Sequence, residues 1–355
     1  MSLASLSPTD PSTALAAAGC TGCLRCQQHC AHGNDVPAAL YAARAASVRA
    51  GSAPEAWTAF ADRFEERGHG EDADLPAVRR SLQPGMSAAR PSGMSAARPS
   101  GMSAARRSPE EAGADPAPPE GAMLFAGCDA LASGGAAVRD ALFAARALGA
   151  PLSLAPERVL CCGLKLVEAG APDAFAAHAL RTLSLLRERS PGRLHLVFLQ
   201  PGCARAVLER FPALPPGSQV EHVTTWLARA LARVPERSRP PPLPGAVAYH
   251  DPCELSRGLS ESTAPRALLS AALEGAFLEP LRCGGETSCC GAGGLLPKTL
   301  PEVAAKMAAL RSAELAACGA PAVTASPACA ATLGAEEVVS VVARWLSGAQ
   351  GGSPA

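Results

Sequence analysis

Aromatic side chains are scarce in this chain: eight Phe, three Trp and two Tyr make up 4% of 355 residues. Its cores must therefore be packed largely from Ala, Leu and Val, and a hydrophobic content of 48% is ample for that. Excess charge is also missing, since 32 basic side chains balance 32 acidic ones. That removes the basic footprint on which nucleic-acid binding depends. No apolar run approaches the 18 or so residues that cross a bilayer; Leu194 to Leu199 is only strand-length. Peripheral association with a membrane stays compatible with this. Met1 to Thr13 has neither a basic head nor an apolar stretch, so the expected location is the reducing cytoplasm. Finally, no G-x-G-x-x-G opens a helix after a strand, so the chain has no flavin or nicotinamide fingerprint of its own.

Cysteine, in contrast, is abundant. Fourteen are present, and in a reducing compartment grouped cysteines bind metal more often than they form disulfides. Twelve fall into three groups. Cys20, Cys23, Cys26 and Cys30 have the C-x2-C-x2-C-x3-C spacing of bacterial ferredoxin-type [4Fe–4S] ligation. The run occurs once, and Ala31 stands where a proline usually follows. Cys30 therefore either closes the local cluster or has lost the cluster it served. His29 and His32 read as exposed neighbours rather than ligands.

The other two groups are copies of each other. Cys128, Cys161, Cys162 and Cys203 recur as Cys253, Cys289, Cys290 and Cys329, offset by 125, 128, 128 and 126 positions. Four cysteines kept in register over such a length indicate an internal duplication of a cysteine-ligated site. Vicinal cysteines are poor structural disulfides, but they suit two irons of one cluster. The glycine after each pair, Gly163 or Gly291, lets backbone approach closely. Gly291, Gly293 and Gly294 could also offer amide N–H groups to sulfur. Four thiolates equally make a closed tetrahedral zinc site, and zinc competes most strongly at Cys161-Cys162. Cys283 and Cys318 are left over, the latter read as core packing.

Between these groups the pattern is that of alternating strands and helices. Residues 1–18 are expected to be poorly ordered, and 19–80 to be the ferredoxin-type segment with helices at 36–50 and 54–67, the periodicity failing after Arg67. Residues 81–121 read as a flexible low-complexity linker. Gly-Met-Ser-Ala-Ala-Arg recurs there from Gly85, Gly93 and Gly101, with Arg90, Arg98, Arg106 and Arg107 as solvated charges. Residues 122–236 and 245–349 form two cysteine-bearing domains. The first is predicted to have strands at 123–126 and 194–199, with helices at 136–148, 165–189, 207–211 and 223–234. The second has strands at 247–250 and 321–325, with helices at 265–273, 301–318 and 336–346. The fold class is α/β, with small layers of parallel strands whose carboxyl ends bring each set of four cysteines together.

Three motifs now carry a resemblance: His250-Asp251-Pro252-Cys253, Cys289-Cys290-Gly291-Ala292-Gly293-Gly294 and Pro327-Ala328-Cys329. Residues 246–333 resemble the cysteine-rich CCG domain of the heterodisulfide reductase family, and residues 122–207 resemble it more weakly. A ferredoxin motif followed by two such domains is similar to D-type heterodisulfide reductase subunits. It is also similar to the iron–sulfur subunits of glycolate oxidase and anaerobic glycerol-3-phosphate dehydrogenase. The resemblance implies a duplicated CCG domain after a helical ferredoxin-type segment. It implies one ferredoxin-type [4Fe–4S] cluster and one or two clusters at the CCG sites, held by the twelve grouped cysteines. It implies a flavoprotein dehydrogenase partner oxidising a hydroxy acid or polyol, and a quinone or another carrier as acceptor. The family pattern often ends in C-x-x-C, whose first position is here Gln200 or Ser326. Disulfide-reducing members hold a noncubane cluster with five cysteines, where this chain has four per copy. The expectation is thus an electron-transfer subunit, with the redox-active site at Cys289-Cys290. The alternatives are a thiol–disulfide reductase centred on Cys253, Cys289, Cys290 and Cys329, or a non-redox zinc protein.

Overall fold

The computed structural model describes residues 7, 10–82, 121–275 and 277–348. Short apolar runs form two separate parallel sheets. In the first half β1 (Met123–Phe125), β2 (Ser153–Leu154), β3 (His195–Phe198) and β4 (Gln219–His222) lie in the order β2-β1-β3-β4. In the second half β5 (Ala248–His250), β6 (Ala322–Thr324) and β7 (Glu336–Glu337) lie in the order β5-β6-β7. Every pairing is parallel. Parallel sheets bury both faces, which is why β1 and β3 are buried throughout rather than alternating, with His195 the one polar side chain of the two strands. Phe125 stands opposite Phe198 in this sheet, with ring centroids 5.0 Å apart.

The halves meet helix against helix. In the first, α7 (Ala136–Ala147) and α11 (Val223–Leu231) turn towards α16 (Val338–Leu346) and α12 (Thr263–Ala272) of the second. Trp226 on α11 and Trp345 on α16 lie on the helices of this layer. All three tryptophans are at most 1% exposed. Trp226 donates to Ala150 O (2.9 Å) and Trp345 to Pro240 O (3.2 Å), so their indole N–H groups are satisfied within the core.

Several elements differ from expectation. The first residues are not all loose: α1 (Pro11–Ala18) starts with Asp10 accepting from Ser12 N and buries Thr13, Ala14, Ala17 and Ala18. Its small side chains let it lie close on α3 (Val36–Arg49). After α4 (Glu55–Arg67) a further short helix, α5 (Leu75–Ser81), is capped by Asp74, which accepts from Ala77 N. The helix predicted over 165–189 is two: α8 (Leu164–Glu168) and α9 (Pro172–Arg189). Gly170, at φ +75°, breaks it, and a Cβ there would press on the backbone of Arg44. The segment predicted as helix from 336 begins instead as β7. Most of the low-complexity stretch lies outside the described residues. At its start Leu82 is buried, packed close to Gly135.

Candidate metal centre

Each long-range cysteine sits where a strand ends. β1 runs through Gly127 into α6 (Cys128–Ala132), whose first residue is Cys128. β3 leads to α10 (Pro201–Arg210), with Cys203 in its first turn, and β6 leads to α15 (Pro327–Leu333), with Cys329 in its first turn. Proline at the start of both helices presets the backbone angle and gives up no hydrogen bond. Cys253 follows β5 and opens a single π turn, Glu254–Gly258. The vicinal pairs arrive on loops. Gly127 takes a φ of +81°, which L side chains rarely adopt, as the chain turns from β1 towards Cys128.

The outcome is one cavity of about 70 Å³ between the halves, lined by Cys128, Cys161, Cys162 and Cys203 on one side and Cys253, Cys289, Cys290 and Cys329 on the other. All eight are free thiols, and only Cys289 is more than barely exposed. Cys161 and Cys128 sulfurs are 3.4 Å apart, and those of Cys290 and Cys329 are 3.3 Å apart. Cys162 contacts Cys203, and Cys289 contacts Cys253. Thiol-to-thiol donation and burial hold Cys128 and Cys253 well above the ordinary thiol value. Although Cys162 donates to it, Cys203 is pushed up to about 11 by burial. Cys289 is the exception, lowered because Cys23 and Cys253 both donate to its sulfur. Crowded, desolvated thiols of this kind stay protonated until a metal cation displaces the protons, which are released to solvent. Soft sulfur donors in this number suit zinc or iron–sulfur clusters, so the donor chemistry fits either group, although among the described residues no three sulfurs of either set lie within 4.8 Å of one another.

Backbone N–H groups complete the surroundings of the sulfurs. Gly22, Gly163 and Gly291 each donate to the cysteine two residues earlier, Cys20, Cys161 and Cys289, at 3.4 Å. The rest of the glycine run has a different role from the one expected. A methyl group on Gly293 or Gly294 would overlap the carbonyl oxygens of Thr21 and Cys20 respectively. These glycines seat the N-terminal cysteine loop on the second half. The first half has Leu164 and Lys165 at the equivalent place and receives no such loop.

Seating of that loop brings Cys23 against Cys289, with Thr21 Oγ1 3.5 Å from the Cys289 sulfur. The other members of the run stand apart. Cys26 is exposed on α2 (Arg25–Gln28), and Cys30 lies just beyond it. Backbone N–H groups of Asn34 and His32 lower Cys30. Among the described residues no three sulfurs of Cys20, Cys23, Cys26 and Cys30 lie within 4.8 Å of one another. His29 is half-exposed and faces Glu286, and His32 is exposed. Cys283 does not line the cavity, and neither does Cys318, which donates to Glu314 O near its helix end and is only half-buried.

Lys165, Glu254 and Arg44 were not singled out in the sequence, while Gln200, Ser326 and the His250-Asp251 motif were named there without a structural role. Lys165 Nζ binds Asp129 at 2.8 Å, and also Glu71. Burial pushes Glu254 up to about 7, against the pull of Arg205, and its Oε2 has no partner. Ser326 Oγ donates to Gln200 Oε1 at 2.8 Å, joining the halves directly. Arg44 is fully buried. It donates to Glu168 O (2.7 Å), Gly294 O (2.8 Å), Cys20 O (2.6 Å) and Ala17 O (2.9 Å), tying three parts of the chain. The His250-Asp251 motif holds its loop in place. Asp251 takes both Nη atoms of Arg266 at 2.8 Å, and Arg311 donates to His250 Nδ1 at 2.9 Å. His250 also lies within 4.8 Å of the Cys290 and Cys329 sulfurs.

Residues 247–334 match the family model of the cysteine-rich CCG domain, and this part of the chain is a CCG domain. Beyond it the chain is distantly homologous to two reductase subunits. It is 30% identical over 166 residues to the D-type subunit of the dihydromethanophenazine:CoB–CoM heterodisulfide reductase of Methanosarcina barkeri, which covers 45% of this chain and 40% of that protein. It is 26% identical over 149 residues to the B-type subunit of the fumarate reductase (CoM/CoB) of Methanothermobacter marburgensis, covering 42% and 28%. A probable membrane-anchored ferredoxin of Chromohalobacter salexigens is 34% identical over 131 residues, covering 36% and 19%. The chain thus spans less than half the length of each of these relatives. Among the described residues no helix is long and apolar enough to cross a membrane.

Proposed function

We propose that this chain is an iron–sulfur electron-transfer subunit of a multi-subunit reductase. It exchanges electrons between a flavoprotein dehydrogenase, acting on a hydroxy acid or polyol, and a quinone or another carrier, and it works in the cytoplasm. Both halves act as CCG domains. Cys128, Cys161, Cys162 and Cys203 would hold one group, Cys253, Cys289, Cys290 and Cys329 a second, and Cys20, Cys23, Cys26 and Cys30 a ferredoxin-type cluster. When bound, such clusters supply one-electron storage and transfer. The protein's part is to bury the thiols, donate backbone N–H groups to their sulfurs and exclude water. The observation that carries this reading is the contact of Cys23 with Cys289. It joins the N-terminal cysteine run to a cavity lined by both other sets. Anaerobic purification followed by iron, sulfide and zinc analysis tests it. Iron with matching sulfide, and a paramagnetic signal on reduction, is the expected result. Zinc alone would identify a non-redox zinc protein instead.

A second reading has its own observation. Glu254 carries an unpartnered carboxyl oxygen beside Cys253 in the same cavity, where a proton donor would serve a thiol–disulfide reductase. Release of free thiols from a disulfide substrate under a viologen reductant separates this reading from simple electron transfer.

A further inference from the structure

A second cavity, of about 550 Å³, opens where the Leu24–Gln28 stretch, α10 and the turn after Cys253 meet. Its volume is in the range of small-molecule sites. Three arginines line it, and each has a buried nitrogen with no hydrogen-bond partner: Arg205 Nε, Arg210 Nε and Arg257 Nη2. Arg205 is 2% exposed. Arg257 uses its other nitrogens on the carbonyls of Cys23 (2.6 Å), Gly285 (2.7 Å) and Thr287 (2.9 Å), so its guanidinium is fixed in place. Arg210 makes no hydrogen bond or ion pair among the described residues and lies 5.7 Å from the ring centre of Tyr41.

Acidic neighbours offset part of this charge at Arg205, and among the described residues none pairs with Arg210 or Arg257. Glu209 is half-exposed and 3.6 Å from Arg205 Nε. Glu254 is 3.6 Å from Arg205 Nη2 on the side of the cysteine cavity. Asp35 already accepts from Ala38 N at 3.0 Å. The wall is also held in costly backbone conformations, since Leu24 (φ 63°) and Ser260 (φ 53°) are left-handed without being glycine. Gln27, Gln28 and Ser256 add neutral hydrogen-bonding groups.

Three guanidinium groups gathered on one pocket wall, none of them fully used by the protein's own acceptors, are what a planar oxyanion satisfies best, through paired charge-assisted hydrogen bonds. We propose that this pocket binds a small molecule through a carboxylate or phosphate group held by Arg205, Arg210 and Arg257. The pocket is separate from the cysteine cavity, though Leu24, Gln27 and Gln28 of its wall belong to the N-terminal cysteine loop. Arg205 touches Glu254, so an occupant bears on the wall the two cavities share.

Calorimetric titration of the full chain, purified anaerobically, tests this with inorganic phosphate and with malonate, in chloride of matched ionic strength. Saturable binding of one or both is expected, and the preferred anion identifies the group recognised. Arg210→Gln should weaken that binding roughly tenfold or more while iron and zinc contents stay unchanged. Arg257→Gln should weaken it too, with some loss of stability because Cys23 and Thr287 lose a donor. Absence of binding of either anion to the wild-type chain overturns the proposal, and so does binding that Arg210→Gln leaves intact.

Discussion

The residue on which the packing of the three cysteine groups depends most is Arg44. Its planar fork meets carbonyls from α1, the N-terminal loop, α8 and the glycine run at once. Arg44→Met keeps much of the volume and leaves those carbonyls unpaired. We expect a loss of roughly 3 kcal/mol or more, read by urea unfolding, and little rescue by lysine, which lacks the fork. Glycine substitutions separate two effects. Gly149 and Gly294 are both left-handed, at φ +70° and +68°, but only at Gly294 would a methyl group meet another backbone. Gly149→Ala should cost about 1 kcal/mol of conformational strain and leave the metal content alone. Gly294→Ala should also expel the Cys20 loop, seen as faster alkylation of Cys23. Equal behaviour of the two variants would show that the glycine run does not seat that loop. His222 sets a pH dependence. Its burial lowers it to about 4, and it sits neutral, bonded to Leu199 O at 2.8 Å and Thr224 Oγ1 at 2.7 Å. A histidine lowered on folding contributes stability that is present above its unfolded value, near 6.5, and is lost as pH falls towards the folded one. Stability should therefore drop by about 2 kcal/mol between pH 7 and pH 5, and His222→Gln should remove that part of the slope.

At the scale of elements, the cysteine-bearing junctions were legible in the sequence because they combine a short apolar run with proline or glycine and then cysteine, as at Gln200-Pro201-Gly202-Cys203 and Ser326-Pro327-Ala328-Cys329. β2 and β7 were not legible. They are two residues long and neither is an apolar run, and pairing with β1 or β6 alone makes them strands. β4 is mostly polar and hides for the same reason. Helix α1 was missed because alanine gives no periodic contrast; its burial is created by α3, which comes later in the chain. The Arg44 staple could not be read at all, since its partners are backbone carbonyls as far away as Gly294 and carry no side-chain signature. A deletion tests what α1 contributes. Removing residues 1–18 should lower the urea midpoint, because Arg44 loses Ala17 O as an acceptor and the side chains of Ala14, Ala17 and Ala18 leave the core. An unchanged midpoint would mean that α1 lies on the surface without holding anything.

Over the whole molecule the two halves are unequal partners. They share the layout of strand, cysteine and helix, and their polar residues Gln200 and Ser326 meet across the cavity. Yet the N-terminal cysteine loop docks mainly on the second half, through Gly293 and Gly294 and through Arg257, which donates to Cys23 O at 2.6 Å, while the first half holds it only through Arg205, which donates to Gly22 O at 3.5 Å. On the function proposed above, electrons moving between that loop and the cavity would reach the Cys289-Cys290 site first, by way of the Cys23–Cys289 contact. The Cys161-Cys162 site is reached only across the cavity. It is enclosed by Lys165, which is bound to Asp129 and Glu71, and its own cysteines are all buried. This asymmetry leads to opposite expectations for two equivalent substitutions. Cys290→Ser should abolish the part of the reduced-state paramagnetic signal that belongs to the second-half site and leave the chain folded. Cys162→Ser should keep most of the signal and cost stability, since it removes a member of a closed set deep in the first half. Iron content, the reduced-state spectrum and the urea midpoint of each variant decide between them. If Cys162→Ser abolishes the signal while Cys290→Ser preserves it, the electron path enters through the first half, and the docking of the N-terminal loop holds the fold without carrying charge.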